Sequence, residues 1–525
     1  MVRVYVWIFC ACVCACSSSS SQPSDGPALE NTSMPDAPEK AVFSQGPYGL
    51  NIRDTAGDFT LPTTQKEWVF KTQFNAQDVH VFVFFNKKIP LSNQLYNASV
   101  SDLLKISPPK VHYYFIAYQD IDTFVPWMQN ILEKAIVDQE TGQQTHWIKH
   151  THVVTQTADT LTGWIGEHVR AQKPVVYAIA PDQTVREVGY LADITSSGQP
   201  SLKALAYTVE GLLQEHAAQT LLQTSKQQSL TVFDNTPMPP GWAASIETDI
   251  TLPQQTFNHA WLELWMDCPQ HADAQCPQWD HLAFLYLCDP NAPQQCNTET
   301  ARWVSPYHRE GHWITEVSPM LAHLKPGSTQ HVKFVTHQPY LISLKWHFSY
   351  NATEPTPSEV FPMFTGGVFN QEYNPQHPPR EFQVPQDAKK VVFYALLTGH
   401  GWGQDVANCA EFCNHQHVFK IHNQSFEFNH ALAGTPQGCV QQISQGTVPN
   451  QYGTWPYGRA GWCPGMDVKP HIYDITHMVQ KGAVNTLSYE ALFKGKTYTP
   501  QAPTNPNSQG FAAEIQLTSY VVVYR

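Results

Sequence analysis

The placement of the cysteines constrains this chain most. Twelve are present, and none falls between residues 17 and 267. Four sit at the N-terminus, at Cys10, Cys12, Cys14 and Cys16. The other eight are Cys268, Cys276, Cys288, Cys296, Cys409, Cys413, Cys439 and Cys463. An even set confined to one region reads as disulfides, and so as an oxidising compartment.

The N-terminus agrees with export. MVRVYVWIFCACVCAC has a basic residue, Arg3, then an apolar run too short to span a bilayer, which reads as a signal peptide over residues 1–16. Its VCAC end resembles a bacterial lipobox, in which Cys16 is lipidated after cleavage. An ordinary signal peptide cleaved nearby is the alternative. The stretch that follows, SSSSSQPSDGP, suits a flexible tether, placed at residues 17–45. The expected location is therefore the cell envelope as a lipoprotein, or the periplasm or extracellular space. Contact with a membrane is expected only through the lipid anchor.

At 525 residues the chain is too long for one hydrophobic core. Charged residues make up 14% and aromatic ones 12%, with Gly and Pro plentiful, which favours β-rich domains with many loops. The net charge of -13 argues against nucleic acid or an anionic membrane surface as the main partner.

Residues 46–226 mix strand and helix patterns. VHVFVFF (79–85) and VHYYFIAY (111–118) are apolar runs of strand length. IDTFVPWMQNILEKAI (121–136) and SLKALAYTVEGLLQEHAAQTLLQ (201–223) carry apolar residues at helical spacing. PVVYAIAPDQTVREVGYL (174–191) reads as two strands around a turn. The order weakly resembles a thioredoxin-like α/β domain over about 60–226. The segment lacks cysteine, so dithiol chemistry is impossible there, and packing, substrate docking or spacing is the expected role. From about 227 onward short strand-length runs recur between turn signals, which suggests two β-sandwiches, at 227–375 and 376–525, divided at the Pro-rich NQEYNPQHPPREFQVP.

Three segments of this second half are similar to the peptide-N-glycosidase F family. They are DCPQHADAQCPQWDHLAFLYL (267–287), TGHGWGQDVANCAEFCNHQH (398–417) and GTWPYGRAGWCPGM (453–466). The resemblance covers roughly 228–525. It implies two adjacent antiparallel eight-stranded jelly rolls with a site between them. The implied activity is hydrolysis of the amide joining an N-linked glycan to asparagine, in N-glycosylated proteins or peptides. Carried over residue by residue, Asp280 takes the place of the principal catalytic carboxylate and Glu411 that of a second acid. Trp279, Arg459 and Trp462 fall beside the sugar site. The implied disulfides are Cys268–Cys276, Cys409–Cys413 and Cys439–Cys463, with Cys288–Cys296 as an additional short bridge. Two positions depart from the family: His281 stands where it has an arginine, and His337 aligns with a third acid. Both remain candidate substrate contacts.

These residue types suit the chemistry. A positioned carboxylate can take the proton of an attacking water, and a cation nearby can stabilise developing charge. Tryptophan faces can pack against sugar rings. The run Cys409-x3-Cys413-x-His415-x-His417 could instead be a zinc cage, but that needs both thiolates free. No cofactor is expected. The alternative is copper on His415 and His417, which a strand would point to one face. Two further readings stay open: a non-catalytic glycan- or peptide-binding surface protein, and a copper-dependent monooxygenase-like enzyme on the same fold.

Overall fold

A computed structural model describes residues 42–192, 199–224, 227–337, 339–503 and 509–525. The expected signal peptide, Cys16 and most of the tether lie outside the described residues.

The first layer system is built on Val79–Phe85, in which every residue is buried. Its sheet runs Thr151–Val153, Val111–Ala117, Val79–Phe85, Val176–Ile179, Val185–Arg186, with the first three parallel and the last two antiparallel. Side chains alternate between two cores, as strand geometry dictates. Val81, Val83 and Phe115 face helices Ile121–Val137 and Lys203–Thr224, while Phe82, Phe84 and Tyr114 face helix Gly163–Gln172. A strand covered on both sides has no reason to alternate apolar with polar, which explains the unbroken VHVFVFF.

The remainder is antiparallel sheet. Strands Gly311–Glu316, His259–Asp267, Leu341–Ser349 and Gln228–Pro237 form one sheet. Thr298–Val304, Leu282–Leu287, Thr329–Thr336 and Ala244–Thr251 form a second, with the short Met466–Asp467 added at its edge from much later in the chain. Their inner faces share one core. A second pair follows: Pro357–Val368, Phe511–Tyr524, Lys390–Trp402 and His471–Asp474 in one sheet, Arg380–Val384, Ala483–Phe493, His415–Ile421 and Gln424–Asn429 in the other. One expectation is corrected here. The boundary placed at 375/376 falls too late, because Pro357–Val368 pairs with Phe511–Tyr524 in the later sandwich. The Pro-rich stretch is a connection inside that sandwich, carrying the short turn Asn374–Gln376, and no hinge between bodies.

The two sandwiches are not separate bodies. Residues 391–399 are all buried. Val391, Phe393, Ala395 and Leu397 point into the core of the later sandwich, whereas Val392, Tyr394 and Leu396 point into that of the earlier one. Arg302 stitches the seam. Its Nε and Nη2 donate to the two oxygens of Glu299 at 2.7 and 2.9 Å, and its Nη1 donates to Thr398 Oγ1 at 2.7 Å and to the Gln516 carbonyl at 2.9 Å. The four expected disulfides form: Cys268–Cys276, Cys288–Cys296, Cys409–Cys413 and Cys439–Cys463. Among the described residues no helix is long and apolar enough to cross a membrane.

Breaking a buried charge pair on one side strands the other charge, at a cost of about 3–5 kcal/mol. Arg302→Met should therefore lower the urea midpoint of the β region by a corresponding amount, followed by tryptophan fluorescence. An unchanged midpoint would show that the seam does not rest on this guanidinium.

Candidate active site

Asp280 lies between the Cys268–Cys276 loop and strand Leu282–Leu287. Ser305, just past the neighbouring strand, pins this segment. The Ser305 N–H donates to the His281 carbonyl at 2.8 Å, and the His281 N–H donates to Ser305 Oγ at 2.8 Å. Glu411 sits inside the five-residue Cys409–Cys413 disulfide loop. Its N–H donates to the Gly401 carbonyl at 3.2 Å, and its own carbonyl accepts from the Ala460 N–H at 2.8 Å. That bond docks the loop carrying Glu411 directly onto the segment carrying Arg459.

Arg459 brings the two acids together. It is 3% exposed. Its Nε donates to Glu411 Oε1 at 3.3 Å, and its Nη2 is 3.7 Å from Asp280 Oδ2. The remaining donors go to the Tyr457 and Thr454 carbonyls, to Thr454 Oγ1 and to the Tyr307 hydroxyl. A guanidinium has five N–H donors in a rigid fork, and a lysine could not serve this many partners. Aromatic faces complete the seat, with the guanidinium carbon 5.0 Å from the Trp462 ring and 5.4 Å from that of Phe412.

Burial pushes both carboxyls up. Glu411 is pushed to about 7, first by desolvation and then by the charge of Asp280, against the pull of Arg459. Asp280 is also raised by desolvation, with Arg459 and Tyr307 pulling it down. The two groups share one cation, so they titrate as a pair. Glu411 is therefore partly protonated near neutrality, with a second carboxyl on the same cation, an arrangement that suits a general acid beside a general base.

The flanking residues divide. Trp279 is 56% exposed at the rim and offers a free indole face. Trp462 does not match its expected role as a sugar platform. It is 5% exposed, donates its indole N–H to the Gly399 carbonyl at 2.8 Å, and is covered by Arg459 and His400. Its work is to seat the guanidinium. His281 and His337 meet each other with ring centroids 4.2 Å apart, and Trp242, 74% exposed, stacks on His337 at 4.5 Å. Burial and the neighbouring ring push His281 down to about 4, so it is neutral near pH 7. Trp242 and Tyr307 are absent from the sequence-derived candidates. Trp242 follows the turn-like PPG at 239–241, and that run beside a tryptophan was the one available signal.

The thiols at 409 and 413 are spent on each other, which removes the Cys2His2 zinc cage. His415 and His417 do project to one face of their strand, but into the interior, where both are fully buried.

The geometry thus defines an acid pair organised by a buried arginine at the junction of two β-sandwiches. The family match and the curated relative agree with the motifs. Residues 368–522 match the family described as peptide-N-glycosidase F, C terminal. The peptide-N(4)-(N-acetyl-beta-D-glucosaminyl)asparagine amidase F of Elizabethkingia miricola is 27% identical over 285 residues, covering 49% of this chain and 74% of its own length. The solved structure of PNGase F from Flavobacterium meningosepticum is 21% identical with a TM-score of 0.45, covering 57% of this chain and 96% of its own. A structure of PNGF-II is 12% identical with a TM-score of 0.41, covering 58% and 67% respectively. The chain is peptide-N-glycosidase F-like in its C-terminal part.

Arg459→Met should raise the Glu411 transition above about 7, because it removes the one cation favouring the ionised form. Infrared difference titration against Glu411→Gln reads this directly. A Glu411 transition left in the ordinary carboxylate range near 4.5 in the unmutated protein would contradict the burial on which the site depends.

Proposed function

We propose that this protein hydrolyses the amide bond between an N-linked glycan and asparagine in exported or encountered glycoproteins and glycopeptides. The observation that carries this is the pairing of Asp280 and Glu411, far apart in sequence, with the single buried guanidinium of Arg459. Both acids and the arginine fall on motifs that resemble the peptide-N-glycosidase F family.

In this reading Asp280 is the general base. A water's oxygen attacks the side-chain carbonyl carbon of the glycosylated asparagine while Asp280 takes a water proton. The C–N bond then breaks, and the leaving nitrogen takes a proton from Glu411. The products are an aspartate and a glycosylamine. Arg459 holds both carboxyls in register and balances the charge that moves between them. Trp279 and Trp242 supply flat apolar surfaces at the rim for sugar faces. His281 and His337 stand where the family carries an arginine and an acid. With His281 pushed down to about 4 by burial, that position offers a glycan a neutral imidazole in place of a guanidinium. Residues 46–226 are read as a thioredoxin-like domain without redox chemistry. Cys16 is read as the lipid-bearing residue of an envelope anchor.

Asp280→Asn should lower the rate of N-glycan release from a denatured glycoprotein about 10²–10⁴-fold, the range expected for loss of a general base. Loss of the Glu411 proton removes the acid, so kcat/KM should fall as pH rises through about 7, and Glu411→Gln should lose that limb. No release by the parent protein from high-mannose, complex or core-fucosylated substrates would instead favour a glycan-binding role. A rate untouched by Asp280→Asn would remove Asp280 from the chemistry.

A further inference from the structure

The later sandwich holds a group of side chains that the carboxylate pair does not use. His415 and His417 leave strand His415–Ile421 on one face, and His430 follows strand Gln424–Asn429. Their exposures are 0%, 0% and 5%. One ligand atom from each lies within 4.8 Å of the others. His417 Nε2 and His430 Nε2 are 3.3 Å apart. Two nitrogens bound tetrahedrally to one zinc ion at about 2.0–2.1 Å are separated by about 3.3–3.4 Å.

The outward nitrogens of His415 and His417 already have partners. His417 Nδ1 is 2.8 Å from the Tyr489 hydroxyl, and His415 Nδ1 is 3.2 Å from the Cys413 carbonyl oxygen. A carbonyl only accepts, so His415 carries its proton on Nδ1 and turns the Nε2 lone pair inward. That Nε2 is buried and has no hydrogen-bond partner. Buried polar atoms in folded proteins are paired, and an inward lone pair without a donor asks for a cation. Outward N–H bonds that fix the tautomer, with lone pairs converging inward, are how metal-binding histidines are held.

Close backbone approach makes room for the rings. A Cβ on Gly399 would lie 2.8 Å from His415 Cε1, and one on Gly461 would lie 3.1 Å from His430 Cε1. The cluster therefore sits directly behind the two segments that carry the carboxylate–arginine site. His430 also borders an open hollow of about 220 Å³ together with Arg459, Trp462, Met466 and His471, which gives an ion a path inward.

We propose that His415, His417 and His430 form a three-nitrogen site for a transition-metal ion, zinc or copper, that braces the later sandwich behind the acid pair. Three neutral imidazoles without a carboxylate suit these ions and not magnesium or calcium. Copper on His415 and His417 alone would have two ligands; His430 supplies the third. The other group of comparable closeness among the described residues, Asp267, His271 and Glu310, does not compete, because Glu310 is already bonded to His271, Arg53 and the Cys268 N–H. No step of the hydrolysis passes through the ion, so this site stands or falls independently of the proposed activity.

The full chain, stripped with chelator, reloaded with zinc or with copper and passed through gel filtration, tests the site by elemental analysis. About one ion per chain of at least one metal should be retained, with a higher Tm than the stripped protein. His430→Gln should retain at least about tenfold less. X-ray absorption of the loaded protein should show imidazole nitrogens at about 2.0–2.1 Å. Cobalt loaded into the unmutated protein should give the visible absorption of a tetrahedral site, displaced by zinc, a readout that needs no variant to fold. Retention of neither metal above the His430→Gln level, an oxygen-only shell, or no visible cobalt absorption would each overturn the proposal.

Discussion

Residues 391–399 of strand Lys390–Trp402 are buried on both faces, and the candidate site hangs from the strand's end. Its odd residues belong to one core and its even residues to the other, so the two sandwiches share a wall. Where the strand leaves that wall its backbone receives both site loops. The carbonyls of His400 and Gly401 accept from the N–H groups of Ala410 and Glu411, and the Gly399 carbonyl accepts from Trp462. The Gly399 N–H in turn donates to the Ala460 carbonyl at 2.8 Å. The disulfide loop with Glu411 and the loop with Arg459 are thus two attachments to one strand end. Arg302, hydrogen-bonded to Thr398 on the same strand, carries the registration across to the sandwich that holds Asp280. Preorganisation of this kind lets a guanidinium sit between two acids without waiting for substrate.

The N-terminal α/β region reinforces the same loop from outside. Asn450 donates its side-chain amide to the carbonyls of Val188 and Ala204, and Tyr190 donates its N–H back to the Asn450 carbonyl at 2.7 Å. Arg309 donates to the carbonyls of Val188, Glu187 and Pro449, and Tyr190 stacks on Tyr452. These contacts end a few residues before Arg459. A region without cysteine thereby has a physical task that needs no redox chemistry, which is to hold the approach to the arginine.

Much of this was legible in the sequence, for identifiable reasons. Val79–Phe85 and helices Ile121–Val137 and Lys203–Thr224 carry strong apolar patterns and lie within a few residues of their expected places. The short helices Pro90–Leu95 and Thr141–His150 bury few side chains and leave little pattern to read. The edge strand Met466–Asp467 is two residues long, and only its partner Thr298–Val304 defines it. At the site, Asp280, Glu411 and Arg459 sit in unusual local motifs, so they stood out. Tyr307 and His430 lie in stretches without a motif, Trp242 has only the preceding PPG to mark it, and the fold is what brings all three to their partners. Trp462 packs against Arg459 but is 5% exposed; a motif reveals proximity and not which way a ring points.

The central claim is that water attacks an asparagine side-chain amide at the Asp280–Glu411–Arg459 junction. Mass spectrometry of a defined N-glycopeptide incubated with the protein in oxygen-18 water tests it most directly. The account predicts a peptide whose asparagine has become aspartate carrying one labelled oxygen, with the whole glycan released. A peptide left intact, or one still bearing a sugar on asparagine, would contradict it.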